Sequence, residues 1–251
     1  MQIVAVDIGN SSTKIAIASS STNSENEKPN WTFKTTVRGD DRFEFSDQTF
    51  ADQSVVWSVS SVNSTRLNSL QQWVTQNRPS DMFHAIGESD VHLESKVESR
   101  DQLGRDRLIG CWIAVQINQQ KGPIIVVDAG TAVTIDLVDE NLVHQGGHIY
   151  PGAETNFYQL ARKTDALPDL SENFELEDLQ YGVVGQSTDN AIRNGVLQSQ
   201  IGSIRGIVEA ISVLQKSQPT VLITGGGIKP IRKFLPAQWI CLLYTSDAAD
   251  E

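Results

Sequence analysis

Cysteine is nearly missing from this chain: Cys111 and Cys241 are the only two among 251 residues. Two such distant thiols make neither a disulfide framework nor a four-ligand zinc site. Basic residues are also few, 20 Lys and Arg against 31 Asp and Glu, for a formal net charge of −11. That balance argues against nucleic acid and anionic lipid as partners. Asp and Glu form no block, as expected of a solvated surface. No run of about 18 apolar residues occurs, so no membrane span is expected. The N-terminus lacks a basic n-region and a long apolar core, so it does not read as a signal peptide. Cytoplasm is the expected compartment. His84, His92, His144 and His148 lack the chain spacing of metal ligands. Trp31, Trp57, Trp73, Trp112 and Trp239 are spread out and read as core or interface, not as a base-stacking platform.

What is present suffices for a folded core, since 39% of the residues are apolar. Gln2 to Val6 is a β-branched run ending in Asp7-Ile8-Gly9-Asn10, and Lys14 to Ala18 resumes it, a strand–turn–strand signal. Ser19 to Pro29 reads as a loop, Trp31 to Val37 and Val55 to Val59 as strands. Asn63 or Ser64 is placed to cap a helix reaching about Trp73. Leu103 to Ile117 has helical spacing at Leu108, Cys111, Trp112 and Val115. Asn118 to Pro123 breaks the pattern, and the expected domains are residues 1–118 and 119–240. Beyond the break, Ile124 to Val127, Asp128-Ala-Gly-Thr131 and Val133 to Val138 form a second strand–turn–strand. Ser187 to Ser217 is one long helix or two abutting ones. Thr220 to Ile223 is a last strand before Thr224-Gly-Gly-Gly227 and a short helical stretch from Ile231.

The final segment, Cys241-Leu-Leu-Tyr-Thr-Ser-Asp-Ala-Ala-Asp-Glu251, breaks the local pattern. It resembles the translation of a transposase sequencing adapter. Residues 241–251 are therefore read as a non-native tail, with the true C-terminus missing.

The two opening units match in register at Asp, Gly and a hydroxylated or amide residue, 121 positions apart. Two copies of one unit suggest a duplicated fold with a cleft between its halves. Alone, each Asp-x-Gly is equally a hairpin turn, because glycine supplies positive φ and Asp accepts local backbone bonds. Three glycine- and hydroxyl-rich strand ends in one chain suit polyphosphate, which needs donors without bulk and a carboxylate for Mg²⁺. No Walker-type P-loop and no Gly-x-Gly-x-x-Gly after a strand is present. Gly104-Arg105-Asp106-Arg107 opens the helix that ends the first half. Asp106 there serves either as a favourable helix-dipole partner or as a base for an alcohol proton. Arg107 would then hold an anionic substrate or neutralise phosphate.

The ordered set Asp7-x-Gly-Asn-Ser, Gly104-x-Asp-Arg107, Asp128-x-Gly-Thr-Ala-x-Thr134, Gly146-Gly-x-Ile-x-Pro-Gly152, Ala166-Leu-Pro168 and Thr224-Gly-Gly226 resembles type III pantothenate kinases, of the acetate and sugar kinase/Hsp70/actin superfamily. The resemblance spans roughly residues 1 to 235. It implies an α/β fold of two duplicated RNase H-like domains with an ATP cleft between them, ATP with Mg²⁺, a monovalent cation (K⁺ or NH₄⁺), and a homodimer binding pantothenate. By matching position, Asp7, Ile8, Gly9, Asn10, Ser11, Ser12, Thr13 and Lys14 would wrap the ATP phosphates and Thr131 would touch ATP. Asp106 would be the proton acceptor, with Gly104, Arg105, Asp106, Arg107 and Thr188 at the pantothenate. Asp128 would hold the monovalent metal. His148, inside what reads as a turn from Gly146 to Gly152, is a candidate supporting residue. The stretch Val97 to Leu103 lacks the aromatic residue and proline usual there, and Arg105 stands where a small residue is expected. Those departures keep open a kinase for another small alcohol such as a sugar. A non-catalytic nucleotide-binding transcriptional accessory protein is the alternative of another class.

Overall fold

The computed structural model describes residues 2–19, 30–38, 43, 45, 50, 54–99, 102–118, 122–171 and 184–242. Four sequence expectations touch residues outside these: the loop at 20–29, residues 100–101 before Gly104, the break at 119–121, and the tail from 243. The Trp31 side chain also lies outside them. The chain divides into two compact units, one running to Val91 with Gly104–Asp106, the other holding His92–Leu103 and the chain from Arg107.

In the first unit, β1 (Gln2–Ile8), β2 (Ser12–Ser19), β3 (Asn30–Arg38), β4 (Val55–Ser61) and β5 (Met82–Ala85) form one sheet in the order β3-β2-β1-β4-β5. β1 pairs antiparallel with β2, placing Asp7 opposite Lys14, and parallel with β4, placing Asp7 beside Ser60. Alternation sends Val4, Val6 and Ile8 inward, where they meet Ile15, Ile17, Val55, Trp57 and Val59. Helix α1 (Ser64–Asn77) buries Leu70 and Val74 against that face. Its start is fixed by Asn63, whose Oδ1 accepts from the Arg66 N–H at 3.0 Å. Trp57 is fully buried and donates its indole N–H to Asp81 at 2.9 Å, so the ring enters the core without stranding a donor.

The second unit repeats the plan. β6 (Ile124–Ala129), β7 (Ala132–Val138), β8 (His144–Pro151), β9 (Thr220–Thr224) and β10 (Ile240–Cys241) lie in the order β10-β9-β6-β7-β8. Read from the other edge, this is again third, second, first, fourth, fifth, with the first pair antiparallel and the fourth strand parallel to the first. The duplication read in the sequence is thus a duplication of sheet topology. One sheet face is covered by α3 (Ala153–Lys163) and the 27-residue α4 (Thr188–Leu214), which share a core with Ile125, Val127, Ile135 and Ile223. Helix α2 (Arg105–Ile117) reaches the other face, where Gly110 approaches Val126.

Two segments differ from the sequence reading. Gly146 to Gly152, read as a turn, is mostly strand β8. Its glycines belong there because the ladder shifts register at Leu137/Val138, Gly146 takes φ 97°, and a Cβ on Gly147 would strike the Ile135 carbonyl. The segment set aside from Cys241 contributes Cys241 and Leu242 to the second sheet, where the Leu242 N–H donates to Ile223 at 2.7 Å.

Candidate functional site

The first unit's turn is built by the end of β1. Gly9 donates its N–H to the Ser12 carbonyl at 2.9 Å, and a Cβ there would crowd that same oxygen at 3.2 Å. The strand alternation then sorts the candidate ATP residues. Ile8 and Thr13 are fully buried, so only their backbones face outward; Asp7, Asn10, Ser11 and Lys14 are exposed. Asp106, exposed in the first turn of α2, stands near enough to act on Asp7. Although Asp7 keeps some surface, the protein around its carboxyl strips much of its hydration and pushes it above the usual carboxylate range; Lys14 opposes this, and the like charge of Asp106 adds to it. A carboxyl whose ionised form is disfavoured, with a second carboxylate close by and a glycine turn beside it, suits a cation.

The second unit's hairpin is one residue shorter. Asp7 and Gly9 correspond to Asp128 and Gly130, but Ile8 pairs with Thr13 whereas Ala129 pairs with Val133. The shorter turn is locked from outside: the Thr131 carbonyl accepts from the Gly152 N–H at 2.9 Å and from Thr155 Oγ1 at 2.6 Å. Gly152 must be glycine, because a Cβ would strike the Gly130 carbonyl. Beside them, Thr224 pairs with Asp128 across the parallel ladder, and Gly225 follows at φ 92°. A Cβ on Gly225 would collide with the Ala129 carbonyl and the Asp128 carboxylate. Three glycine turns, at 130, 152 and 225–227, therefore gather at one end of the second sheet around half-buried Asp128 and exposed Thr131. Backbone N–H groups without side-chain cover suit an anion or nucleotide there.

Arg107 points elsewhere than an external substrate. Its Nε donates to Asp136 Oδ2 at 3.0 Å and its Nη2 to Asp136 Oδ1 at 2.5 Å. The same carboxylate meets His144 Nε2 at 2.8 Å, and His144 Nδ1 meets Ser95 Oγ at 2.8 Å. Burial alone would raise the Asp136 carboxyl, but the His144 and Arg107 hydrogen bonds and their charges hold it below its usual range. Gly104 is half-buried and Arg105 exposed, which leaves Arg105 as the outward guanidinium of this segment. Thr188 is exposed at the start of α4, behind Ser187, whose Oγ accepts from the Asn190 N–H at 3.2 Å. His148 is exposed on β8, and His84 pairs with Asp90 at 3.2 Å. Sequence reasoning quoted Gly152 and Gly225 within its motifs but missed Thr155 and the Ser95–His144–Asp136 chain. The available signal for the last was an Asp inside an otherwise apolar strand.

A sheet topology repeated twice, each copy ending its first strand in Asp-x-Gly, defines a duplicated α/β protein with a glycine turn after the first strand of each unit. The type III pantothenate kinase family model matches residues 3–210, and the chain belongs to that family. A type III pantothenate kinase of Persephonella marina is 31% identical over 159 residues, 63% of this chain and 60% of the relative. One of Rhodopirellula baltica is 36% identical over 154 residues, 61% and 54% of the two chains. The matched stretch therefore spans less than two thirds of these relatives. Among solved structures, the ethanolamine utilization protein EutJ from Carboxydothermus hydrogenoformans aligns over 97% of this chain and 84% of its own, at 12% identity and TM-score 0.48. An archaeal actin homolog in complex with ADP aligns over 97% and 93%, at 14% identity and TM-score 0.45. No described helix is long and apolar enough to cross a membrane.

Proposed function

We propose that this chain transfers the γ-phosphoryl group of ATP to the primary hydroxyl of pantothenate, giving 4′-phosphopantothenate for coenzyme A synthesis in the cytoplasm. Family membership supports the reaction, and one observation carries the site: Asp106 lies close enough to Asp7 and its glycine turn to raise the Asp7 carboxyl. In this reading Asp7, Gly9, Asn10, Ser11, Ser12 and Lys14, with the backbones of Ile8 and Thr13, hold the phosphates, and Thr131 touches ATP. Asp106 accepts the alcohol proton as the hydroxyl attacks in line, and catalysis is otherwise positioning and charge neutralisation. Gly104, Arg105 and Thr188 meet the acceptor, while Arg107, tied to Asp136, fixes the first turn of α2. The neighbouring carboxylates Asp7 and Asp106 fit a hydrated Mg²⁺, which when bound would neutralise phosphate charge. Asp128, beside the Ala129 carbonyl and Gly225, fits a monovalent cation, K⁺ or NH₄⁺. A homodimer is part of the same reading.

A second reading, phosphorylation of a different small alcohol, is favoured by Arg107 pairing internally rather than facing a substrate carboxylate. The deciding experiment incubates the purified chain with ATP, Mg²⁺ and K⁺ plus pantothenate or a panel of sugars and polyols, with products read by mass spectrometry. Phosphopantothenate as the dominant product supports the proposal. A phosphorylated sugar in its place supports the second reading, and bound ATP with no phosphorylated alcohol supports an accessory nucleotide-binding role.

A further inference from the structure

The second unit contains a buried donor cluster that phosphoryl transfer does not use. Cys111 comes from the middle of α2, Asp136 from β7 and His144 from the start of β8, with 0%, 1% and 0% exposure. Their Sγ, carboxylate oxygen and imidazole nitrogen all lie within 4.8 Å of one another. We infer that these three residues form a site for one divalent ion of the zinc class.

Donor chemistry sets the class. Thiolate and imidazole select zinc-like transition ions over Mg²⁺ and K⁺, so this site is distinct from the cations proposed for phosphoryl transfer. Three protein ligands leave a fourth position open. Bonds of about 2.0–2.3 Å put the donors of a four-coordinate zinc ion roughly 3.3–3.7 Å apart. The His144–Asp136 contact, 2.8 Å now, would open by a few tenths of an ångström to about 1 Å, and Cys111, within 4.8 Å of both, would need to close by no more than about 1 Å.

The surroundings are prepared for this. Metal-bound imidazoles commonly donate their other N–H to a fixed acceptor, and Ser95 Oγ stands 2.8 Å from His144 Nδ1. Ser95 is itself held in place, because Lys96 N–H donates to the His144 carbonyl and His144 N–H to the Glu94 carbonyl. On binding, Nδ1–H would be given to Ser95, and Nε2, now hydrogen-bonded to Asp136 Oδ1, would turn its lone pair to the metal. Asp136 retains room: a carboxylate offers about four lone-pair directions, and Arg107 takes one on each oxygen. Binding releases the Cys111 thiol proton to solvent as the sulfur–metal bond forms.

Spacing along the sequence hid this site because its ligands come from one helix and two strands. The probe is Co²⁺ titrated into the chelator-treated full chain. The expected result is a near-ultraviolet thiolate-to-cobalt charge-transfer band with visible bands of four-coordinate cobalt, saturating at one equivalent. Added Zn²⁺ should abolish these bands, and excess Mg²⁺ should not. Cys241→Ser, which leaves the cluster intact, should keep the spectrum; Cys111→Ser and His144→Phe should lose it. Ser95→Ala should weaken binding by about 10- to 100-fold. Absence of the band at one equivalent overturns the inference. So does its loss in Cys241→Ser, or its persistence in a folded Cys111→Ser variant. These readouts do not depend on which alcohol, if any, the chain phosphorylates.

Discussion

Replacing Asp136 by Asn should cost far more stability than a surface change of the same size. Arg107 and Asp136 form a bidentate pair with side-chain exposures of 12% and 2%, and His144 behind it is fully buried. Asn keeps the shape but removes the charge, leaving the guanidinium desolvated without its counter-ion. Breaking one side of a buried pair typically costs about 3–5 kcal/mol. At roughly 2–4 °C per kcal/mol for a chain of this size, the melting temperature should fall by about 6–20 °C. The loss should also depend on pH. A carboxyl held below its usual value stabilises the fold above the unfolded pKa, near 3.9, and that contribution disappears as pH falls through the folded value. Wild type and Asp136→Asn should therefore begin to converge only below about pH 4, and meet once pH has fallen below the depressed folded value. The double replacement Arg107→Met with Asp136→Leu removes both charges and should recover much of the loss. Thermal and urea unfolding followed by circular dichroism compare wild type with both variants. An Asp136→Asn variant within about 0.5 kcal/mol of wild type at neutral pH would refute the buried-pair argument.

Gly225→Ala should destabilise the second unit by about 2 kcal/mol or more, since its φ of 92° and its contacts with Ala129 and Asp128 both exclude a Cβ. Nucleotide affinity should fall with it, checked by melting and by ATP titration. Asn63→Ala should cost about 1 kcal/mol through the lost cap of α1, read from urea unfolding. Asp7→Asn should raise the neutral-pH melting temperature of the unliganded protein while weakening its Mg·ATP binding. The fold raises the Asp7 carboxyl, so it disfavours the ionised form, and the neutral amide relieves that penalty as acidification of the wild type does. A drop in melting temperature for this variant would count against the reasoning.

The repeated opening was legible because it is local: a β-branched run leads up to Asp7 and another up to Asp128, and glycine follows each. The register, however, extends only through Gly9 and Gly130, since the loops differ by one residue beyond them. Helices α1, α2 and α4 were legible from caps and spacing. Strand β8 was not, because Gly146 and Gly147 are read as turn residues until the neighbouring backbone that demands them is known. β5 is four residues with little burial, and β10 is two, too short for any periodicity. Among site residues, Asp7, Asn10, Ser11 and Lys14 proved exposed, whereas Thr13 faces the core. Arg107 was expected to meet a substrate because the sequence did not reveal that α2 would lay it against β7. His144 and Ser95 are 49 positions apart and join through an isolated bridge between them.

The most direct measurement is turnover of Asp106→Asn with ATP and pantothenate, alongside its ATP affinity. A proton acceptor in this position contributes about 10²–10⁴-fold, so the rate should drop by that factor with nucleotide binding retained. Near-normal turnover in the variant would contradict the assignment of Asp106 as the base.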